Sequence, residues 1–150
     1  MRAVIPPVPI DLLLRELNAD TFVRETNNGQ NQVYIINDKS APNVLREIGR
    51  LREETFRNAG GGTGLECDLD EFDSGEGAYS QLIVWSQKEK EVVGGYRFIK
   101  GADVKMNTDG SPRLATAHLL NYSPLFMQKY LPFIIELGRS FVQPKFQPSS

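Results

Sequence analysis

Two apolar, β-rich runs at residues 81–86 and 91–99 are separated by only four polar residues, Gln-Lys-Glu-Lys. Two parallel strands need a crossover of a dozen or more residues, so strands this close in sequence must pair antiparallel. Residues 21–26 and 32–37 flank the turn-forming Asn27-Asn28-Gly29 and predict a second hairpin. The chain is therefore expected to build a sheet from hairpins, with the 81–99 pair at its centre.

Residues 42–59 have the periodicity of an amphipathic helix. Their apolar residues recur three or four positions apart, Pro42 suits the first turn, and the glycines after Ala59 end the pattern. Arg52 lies four residues after Ile48, which places it on or beside the buried stripe. Together with the hairpins, this helix indicates an α+β domain.

Three further elements complete the expected order. After a proline-rich lead, Asp11 is positioned to cap a short helix that runs to Leu17. Another short helix is expected over residues 123–130, and a last strand over residues 133–142. The acidic residues 66–73 are predicted to form a loop whose carboxylates need cations or solvent.

Charge and cysteine content exclude several classes of function. Lys and Arg number 17 against 19 for Asp and Glu, so a nucleic-acid partner is not expected. Cys67 is the single cysteine, and no Cys/His spacing suits zinc, so we expect no disulfide, no metal and a cytoplasmic location. The N-terminal apolar run is too short and too interrupted by prolines for a signal peptide or a spanning helix, which leaves peripheral contact with the inner membrane open.

The strand at 133–142 carries two charges whose placement depends on its geometry. Strict alternation puts Glu136 and Gly138 on one face of the sheet, and Arg139 and Phe141 on the other. A β-bulge near Gly138 would shift the parity and bring Glu136 and Arg139 to a common face. Taken alone, the two charges are more often solvated strand residues than catalytic groups.

Five strings occur in a fixed order along the chain: EIGRLREETF, DLDEFD, QLIVW, VVGGYRF and ELGRSFV. In this order they resemble the lipid N-acyltransferases of the GNAT superfamily, the ornithine- and glycine-lipid type often called hemolysins. The acyl-homoserine-lactone autoinducer synthases are more distant relatives. The resemblance covers residues 43–148 and is strongest to the glycine-lipid enzymes of Bacteroidetes. It implies an α+β fold of three layers, with a mixed, largely antiparallel sheet flanked by helices.

The resemblance also carries roles to particular residues. The family's motif residues fall on Arg52, Phe56, Asp70, Asp73, Arg97, Glu136 and Arg139. It implies that Glu136 and Arg139 are catalytic and that the other five bind or position substrate. Glu136 would accept the proton of the attacking amine, and backbone N–H groups at residues 137–139 would bind the oxyanion.

These charged residues also allow a purely structural interpretation. Three arginines (Arg52, Arg97 and Arg139) are expected to pair with Asp70, Asp73 and Glu136 if the acidic loop folds over the sheet. For Asp70 and Asp73, substrate binding and a structural clamp are equally supported.

The function that the resemblance implies is transfer of a fatty acyl group from an acyl carrier protein or CoA thioester to the amine of an amino acid, such as glycine or ornithine, in aminolipid synthesis. Acyl carrier protein is the expected partner, and no cofactor is expected beside the acyl donor. One alternative is an autoinducer synthase, which would need a site for S-adenosylmethionine. Another is a non-catalytic GNAT-like binding module.

The expected domain organisation is an N-terminal extension over residues 1–41 and a GNAT-like core over residues 42–150. In the family, the strand that carries Glu136 is followed by a helix whose N-terminus binds the carrier's pantetheine phosphate. The sequence stops before such a helix, so we expect the N-terminal half of an enzyme. Its last strand would expose an unpaired edge and favour a homodimer.

Overall fold

A computed structural model describes residues 1–28 and 30–149 of the chain. Its helices and strands follow the order α1 (Ile10–Glu16), β1 (Phe22–Glu25), β2 (Asn31–Ile36), α2 (Pro42–Asn58), β3 (Ser80–Ser86), β4 (Glu91–Lys100), α3 (Pro124–Lys129) and β5 (Ile135–Val142). Gly29, the last residue of the predicted Asn-Asn-Gly turn, lies outside the described residues. No helix in the described ranges has the length and apolarity that a membrane crossing requires.

The five strands form one sheet in the order β1-β2-β3-β4-β5. Both predicted hairpins are present, and β3 is the central strand with β4 beside it. Every described pair is antiparallel, so the sheet is antiparallel throughout these strands rather than mixed. Helices packed on this sheet confirm the α+β class.

Helix α2 begins at Pro42 as its periodicity predicts and ends at Asn58, one residue before the predicted end. Its apolar stripe, which includes Val44 and Ile48, is buried in one cluster with Ile83 and Trp85 of the central strand. The first turn is capped from outside by Glu16, whose carboxylate accepts the Asn43 N–H at 2.6 Å and the Val44 N–H at 3.3 Å. Since these N–H groups have no partner within the helix, α1 stabilises the start of α2.

The expected cap of α1 is wrong. The helix begins at Ile10 with Pro9 at the N-cap, so Asp11 lies inside the first turn and makes no capping hydrogen bond. Its charge still favours the helix N-terminus electrostatically. Within the described part of residues 1–41, β1 and β2 belong to the common sheet and α1 packs on α2, so Leu13 and Tyr34 are buried in the same cluster as the stripe of α2.

The two faces of the sheet differ in how far other parts of the chain bury them. One face packs against α2, and the register of β3 and β4 directs Gln81 and Arg97 toward the same side. On the opposite face, Leu82, Val84 and Phe98 are only half-buried, and Leu137 is exposed. The candidate site residues lie on the covered face.

Candidate active site

A β-bulge in β5 controls where the motif residues point. On β4 only Tyr96 lies between Gly95 and Arg97, whereas their partners on β5, Phe141 and Gly138, are separated by two residues. The extra residue is accommodated at Arg139, which has a φ of 50° in the left-handed region. The bulge expected near Gly138 is therefore present, and strict alternation along β5 is wrong. The strand begins at Ile135 rather than at Phe133, because residues 131–133 form a 3₁₀ turn.

Arg52 and Arg97 form a buried ion network around Asp73. Arg52 Nη1 donates to the two oxygens of Asp73 at 3.1 and 3.2 Å, and Arg97 Nη1 donates to Asp73 Oδ2 at 3.1 Å. Gln81 completes the network, since its amide donates to Asp73 at 2.8 Å and accepts from Arg52 Nη2 at 2.7 Å. The side chains of Arg52 and Asp73 are 0% and 1% exposed. This burial favours the structural interpretation, in which the network clamps the acidic loop onto the sheet.

Asp70 links this buried network to Arg139. Its Oδ1 accepts from Arg97 Nη1 at 2.6 Å, and its Oδ2 accepts from Arg139 Nη2 at 3.4 Å. Burial would raise the pKa of Asp70, but the hydrogen bond and charge of Arg97 outweigh that effect and lower the pKa to about 2. Asp70 is thus a carboxylate throughout the neutral range.

Arg139 is held more loosely than the other two arginines. Besides the long contact to Asp70, its Nη1 lies 3.6 Å from Asp68 Oδ2, and its side chain is 35% exposed. It lines a cavity of about 350 Å³ together with Phe56, Gly62 and Thr63. Two of the seven predicted residues, Phe56 and Arg139, therefore meet at an open surface where a small ligand has room to bind.

Glu136 does not join the arginines, so its expected place in the ion network is wrong. Its Oε1 accepts a hydrogen bond of 2.5 Å from the Tyr79 hydroxyl, and its Oε2 accepts one from the Thr116 hydroxyl. Asp68 takes the place that was expected for Glu136, since it is the third acid of the network and lies opposite Arg139. Burial, and next the bond to Glu136, raise the pKa of the Tyr79 phenol, so Tyr79 stays a neutral donor.

Glu53 organises the glycine-rich loop that follows α2. Its carboxylate, 0% exposed, accepts from the Thr63 N–H at 2.9 Å, the Thr63 hydroxyl at 2.6 Å and the Gly64 N–H at 2.9 Å. Arg57 adds a fourth bond at 2.7 Å. The helix stop at these glycines is confirmed, and hydrogen bonds to Glu53 tie the loop to the helix. It forms the wall of the cavity beside Arg139.

Sequence reasoning missed several residues of this site: Glu53, Asp68, Tyr79, Gln81 and Thr116. Tyr79 and Thr116 lie outside the quoted strings. Glu53, Asp68 and Gln81 stand within three of them, so their polar side chains at motif positions were the available signal.

The described residues offer no obvious place for a metal. Across residues 1–28 and 30–149, no group of three or more His, Cys, Asp or Glu side chains is arranged to hold an ion. The acidic loop has arginines as its counter-charges instead.

Comparison with known proteins is consistent with this geometry. The chain is 52% identical to a glycine N(alpha)-acyltransferase of Bacteroides thetaiotaomicron over 147 residues. This alignment covers 98% of the chain and 44% of the relative. The chain is 47% identical to a glycine N(alpha)-acyltransferase of Phocaeicola vulgatus, and this alignment covers 98% of the chain and 45% of the relative. The chain thus spans less than half the length of these curated relatives.

No solved structure matches the chain. Residues 51–150 match the acetyltransferase (GNAT) domain family, and this range contains β3 to β5, the acidic loop and all seven predicted site residues. Since the match extends over two thirds of the sequence, the chain belongs to the GNAT acetyltransferase domain family.

Proposed function

We propose that this chain carries the amine side of an N-acyltransferase that moves a fatty acyl group from a thioester to the amino group of glycine. The observation that carries the proposal is the bulge in β5, which directs Glu136 and Arg139 to one face of the sheet, where Arg139 lines an open cavity. The names of the two curated relatives support glycine as the acceptor.

In this reaction the free amine attacks the thioester carbonyl, the C–N bond forms, and the thiolate leaves as the C–S bond breaks. The nitrogen must lose a proton, and Glu136 is our candidate for the base that accepts it, directly or through water. The bulge interrupts the regular pairing of β5, so backbone N–H groups near Arg139 are candidates to stabilise the oxyanion.

Arg139 is the candidate that binds the carboxylate of the amino acid. A guanidinium recognises a carboxylate through paired hydrogen bonds, and Arg139 is the member of the three-arginine set that is both loosely paired and open to a cavity. Phe56 in the same cavity would pack against the small acceptor. Arg52, Asp73 and Arg97 would then hold the acidic loop in place behind it.

We propose that acyl carrier protein carries the acyl group as a thioester, with CoA as the alternative. The protein would serve the synthesis of aminolipids of the ornithine- and glycine-lipid type. The protein would act in the cytoplasm, with peripheral contact at the inner membrane. Because β5 is an edge strand of the sheet, it remains a candidate for pairing with a second copy.

The decisive experiment is Glu136→Gln in the protein as the cell produces it. With acyl carrier protein thioester and glycine, N-acyl glycine formation followed by mass spectrometry should fall by about 10²–10⁴-fold because the base is lost. Glu25→Gln, an exposed strand glutamate, is the matched control and should leave turnover unchanged. Unchanged turnover in Glu136→Gln, with the fold retained by circular dichroism, would remove Glu136 from the role of base.

The same assay separates the alternatives. An autoinducer synthase would release an acyl-homoserine lactone from S-adenosylmethionine and would not acylate glycine. A binding module would give no product from either acceptor. Glycine acylation that depends on Glu136 is the outcome that supports the proposed function.

A further inference from the structure

Glu136 is the proposed base, yet a glutamate near the edge of a sheet has a flexible side chain. Three torsions separate its carboxylate from the backbone, and the last of them is broad and roughly two-fold. A general base must lie within hydrogen-bond reach of the proton that it removes. Whatever restrains the carboxylate of Glu136 therefore contributes to the reaction without contacting the substrate.

Tyr79 restrains one oxygen of this carboxylate. Its side chain is 0% exposed, and its hydroxyl accepts the Ala115 N–H at 2.8 Å while it donates to Glu136 Oε1 at 2.5 Å. Because the backbone N–H already occupies the phenol oxygen as acceptor, the hydroxyl hydrogen is directed to Glu136. Burial keeps the ring in place, and the direction of this bond is fixed by the fold.

Thr116 restrains the other oxygen. Its hydroxyl donates to Glu136 Oε2 and also contacts the Tyr122 hydroxyl. The Thr116 hydroxyl has one hydrogen, and the bond to Glu136 uses it, so Tyr122 donates to Thr116. The result is a directed chain of hydroxyls, Tyr122 to Thr116 to Glu136, that ends on the carboxylate.

The two donors come from parts of the chain that the family motifs do not include. Tyr79 precedes β3, and Thr116 lies in the 3₁₀ turn Ala115–His118. The bond from Ala115 to Tyr79 ties that turn to the sheet, so one donor positions the other. With a hydrogen bond on each oxygen, rotation of the carboxylate is blocked at both ends.

We propose that Tyr79 and Thr116 are positioning residues for Glu136, and that they hold its carboxylate in the orientation that the acyl transfer requires. This inference rests on the proposed function, since it assigns their role through Glu136. It extends the site from β5 to the residue that precedes β3 and into the segment between β4 and α3.

The test compares variants that keep shape and remove the hydroxyl. Thr116→Val and Tyr79→Phe should each lower kcat for N-acyl glycine formation by about tenfold to hundredfold, as expected for loss of a hydrogen bond to a charged group. KM for glycine and for the thioester should stay within about twofold, because neither residue contacts substrate. Thr116→Ser keeps the hydroxyl and should restore kcat. Thr108→Val and Tyr130→Phe, both at exposed positions, are the matched controls.

The outcomes are distinguishable. If the wild-type protein acylates glycine and Glu136→Gln does not, but Thr116→Val has full kcat, the positioning role is wrong and the proposed function stands. Equal loss of kcat in Thr116→Val and Thr116→Ser would assign Thr116 to packing and also overturn the inference. If Tyr79→Phe fails to fold, the two Thr116 variants still decide. A wild-type protein that acylates no glycine overturns both proposals.

Discussion

Glu136 and Arg139, three residues apart on β5, lie on the same face of the sheet, although strict alternation would separate them. Arg139 adopts the left-handed conformation, and two residues of β5 there oppose one of β4. Glu136 contacts Tyr79 and Arg139 contacts Asp70, while Arg97 lies between them and touches both partners. One backbone irregularity therefore assembles the two halves of the site.

The conformation of Arg139 predicts an unusual order of stability for its variants. Arg139→Gly and Arg139→Ala both remove the guanidinium, but only alanine keeps a Cβ in the left-handed region. The glycine variant should be more stable by about 1 kcal/mol, measured as the free energy of unfolding in urea. At Ser140, which has no positive φ, the order should reverse, because glycine in a strand costs about 0.5–1 kcal/mol relative to alanine. Equal stability of the two Arg139 variants would contradict the bulge geometry.

Asp73 is the carboxylate on which two buried arginines depend. Asp73→Asn keeps the size of the side chain and leaves Arg52 and Arg97 without its charge. Breaking a buried ion pair from one side should lower the free energy of unfolding by about 3–5 kcal/mol. Asp20→Asn, at an exposed position, should change it by less than about 0.5 kcal/mol. A loss for Asp73→Asn as small as that of the control would show that the network does not clamp the acidic loop.

Glu53 predicts how stability depends on pH. Burial would raise its pKa, but hydrogen bonds from Thr63 and Arg57 outweigh burial and lower the pKa to about 2. A carboxylate with a depressed folded-state pKa stabilises the fold above its unfolded pKa of about 4.3, and this contribution is lost as the pH falls toward about 2. Unfolding midpoints in urea should therefore drop for the wild-type protein between about pH 4 and about pH 2.

Glu53→Gln should be less stable at neutral pH and should show a flatter decline over the same acidic range, since it has no charge to lose there. Glu25→Gln, the exposed control, should keep the wild-type slope. If Glu53→Gln and the wild-type protein have parallel curves below about pH 4, the carboxylate of Glu53 does not hold the glycine-rich loop in its charged form.

Local patterns were sufficient for the secondary structure. The two hairpins and α2 follow from residues that are close in sequence, where period and turn chemistry act directly. The cap of α1 was misplaced by two residues, because the helix begins at Ile10 with Pro9, and not Asp11, at the N-cap. The bulge near Gly138 was also predictable as a site, though its left-handed residue is Arg139 and not the glycine.

Contacts between distant segments were beyond that reasoning. Tyr79 and Glu136 are 57 residues apart, and no period or motif links a tyrosine before β3 to a glutamate on β5. The same holds for Glu53. Its hydrogen-bond partners are on the glycine-rich loop, and which residues reach its carboxylate depends on the path of that loop in space. Charge alone suggested that Glu136 would pair with arginines, whereas the fold surrounds it with hydroxyls.

The sequence by itself thus determined the class of fold, the helix and hairpins, and the motif residues that place the chain among GNAT domains, because these depend on short-range order along the chain. Only the tertiary structure decided which acid pairs with which arginine, that Arg139 faces a cavity, and that Tyr79 and Thr116 hold Glu136. The physical reason is that hydrogen bonds and ion pairs between buried side chains depend on distance and direction in space. The packing of the loops on the sheet determines both.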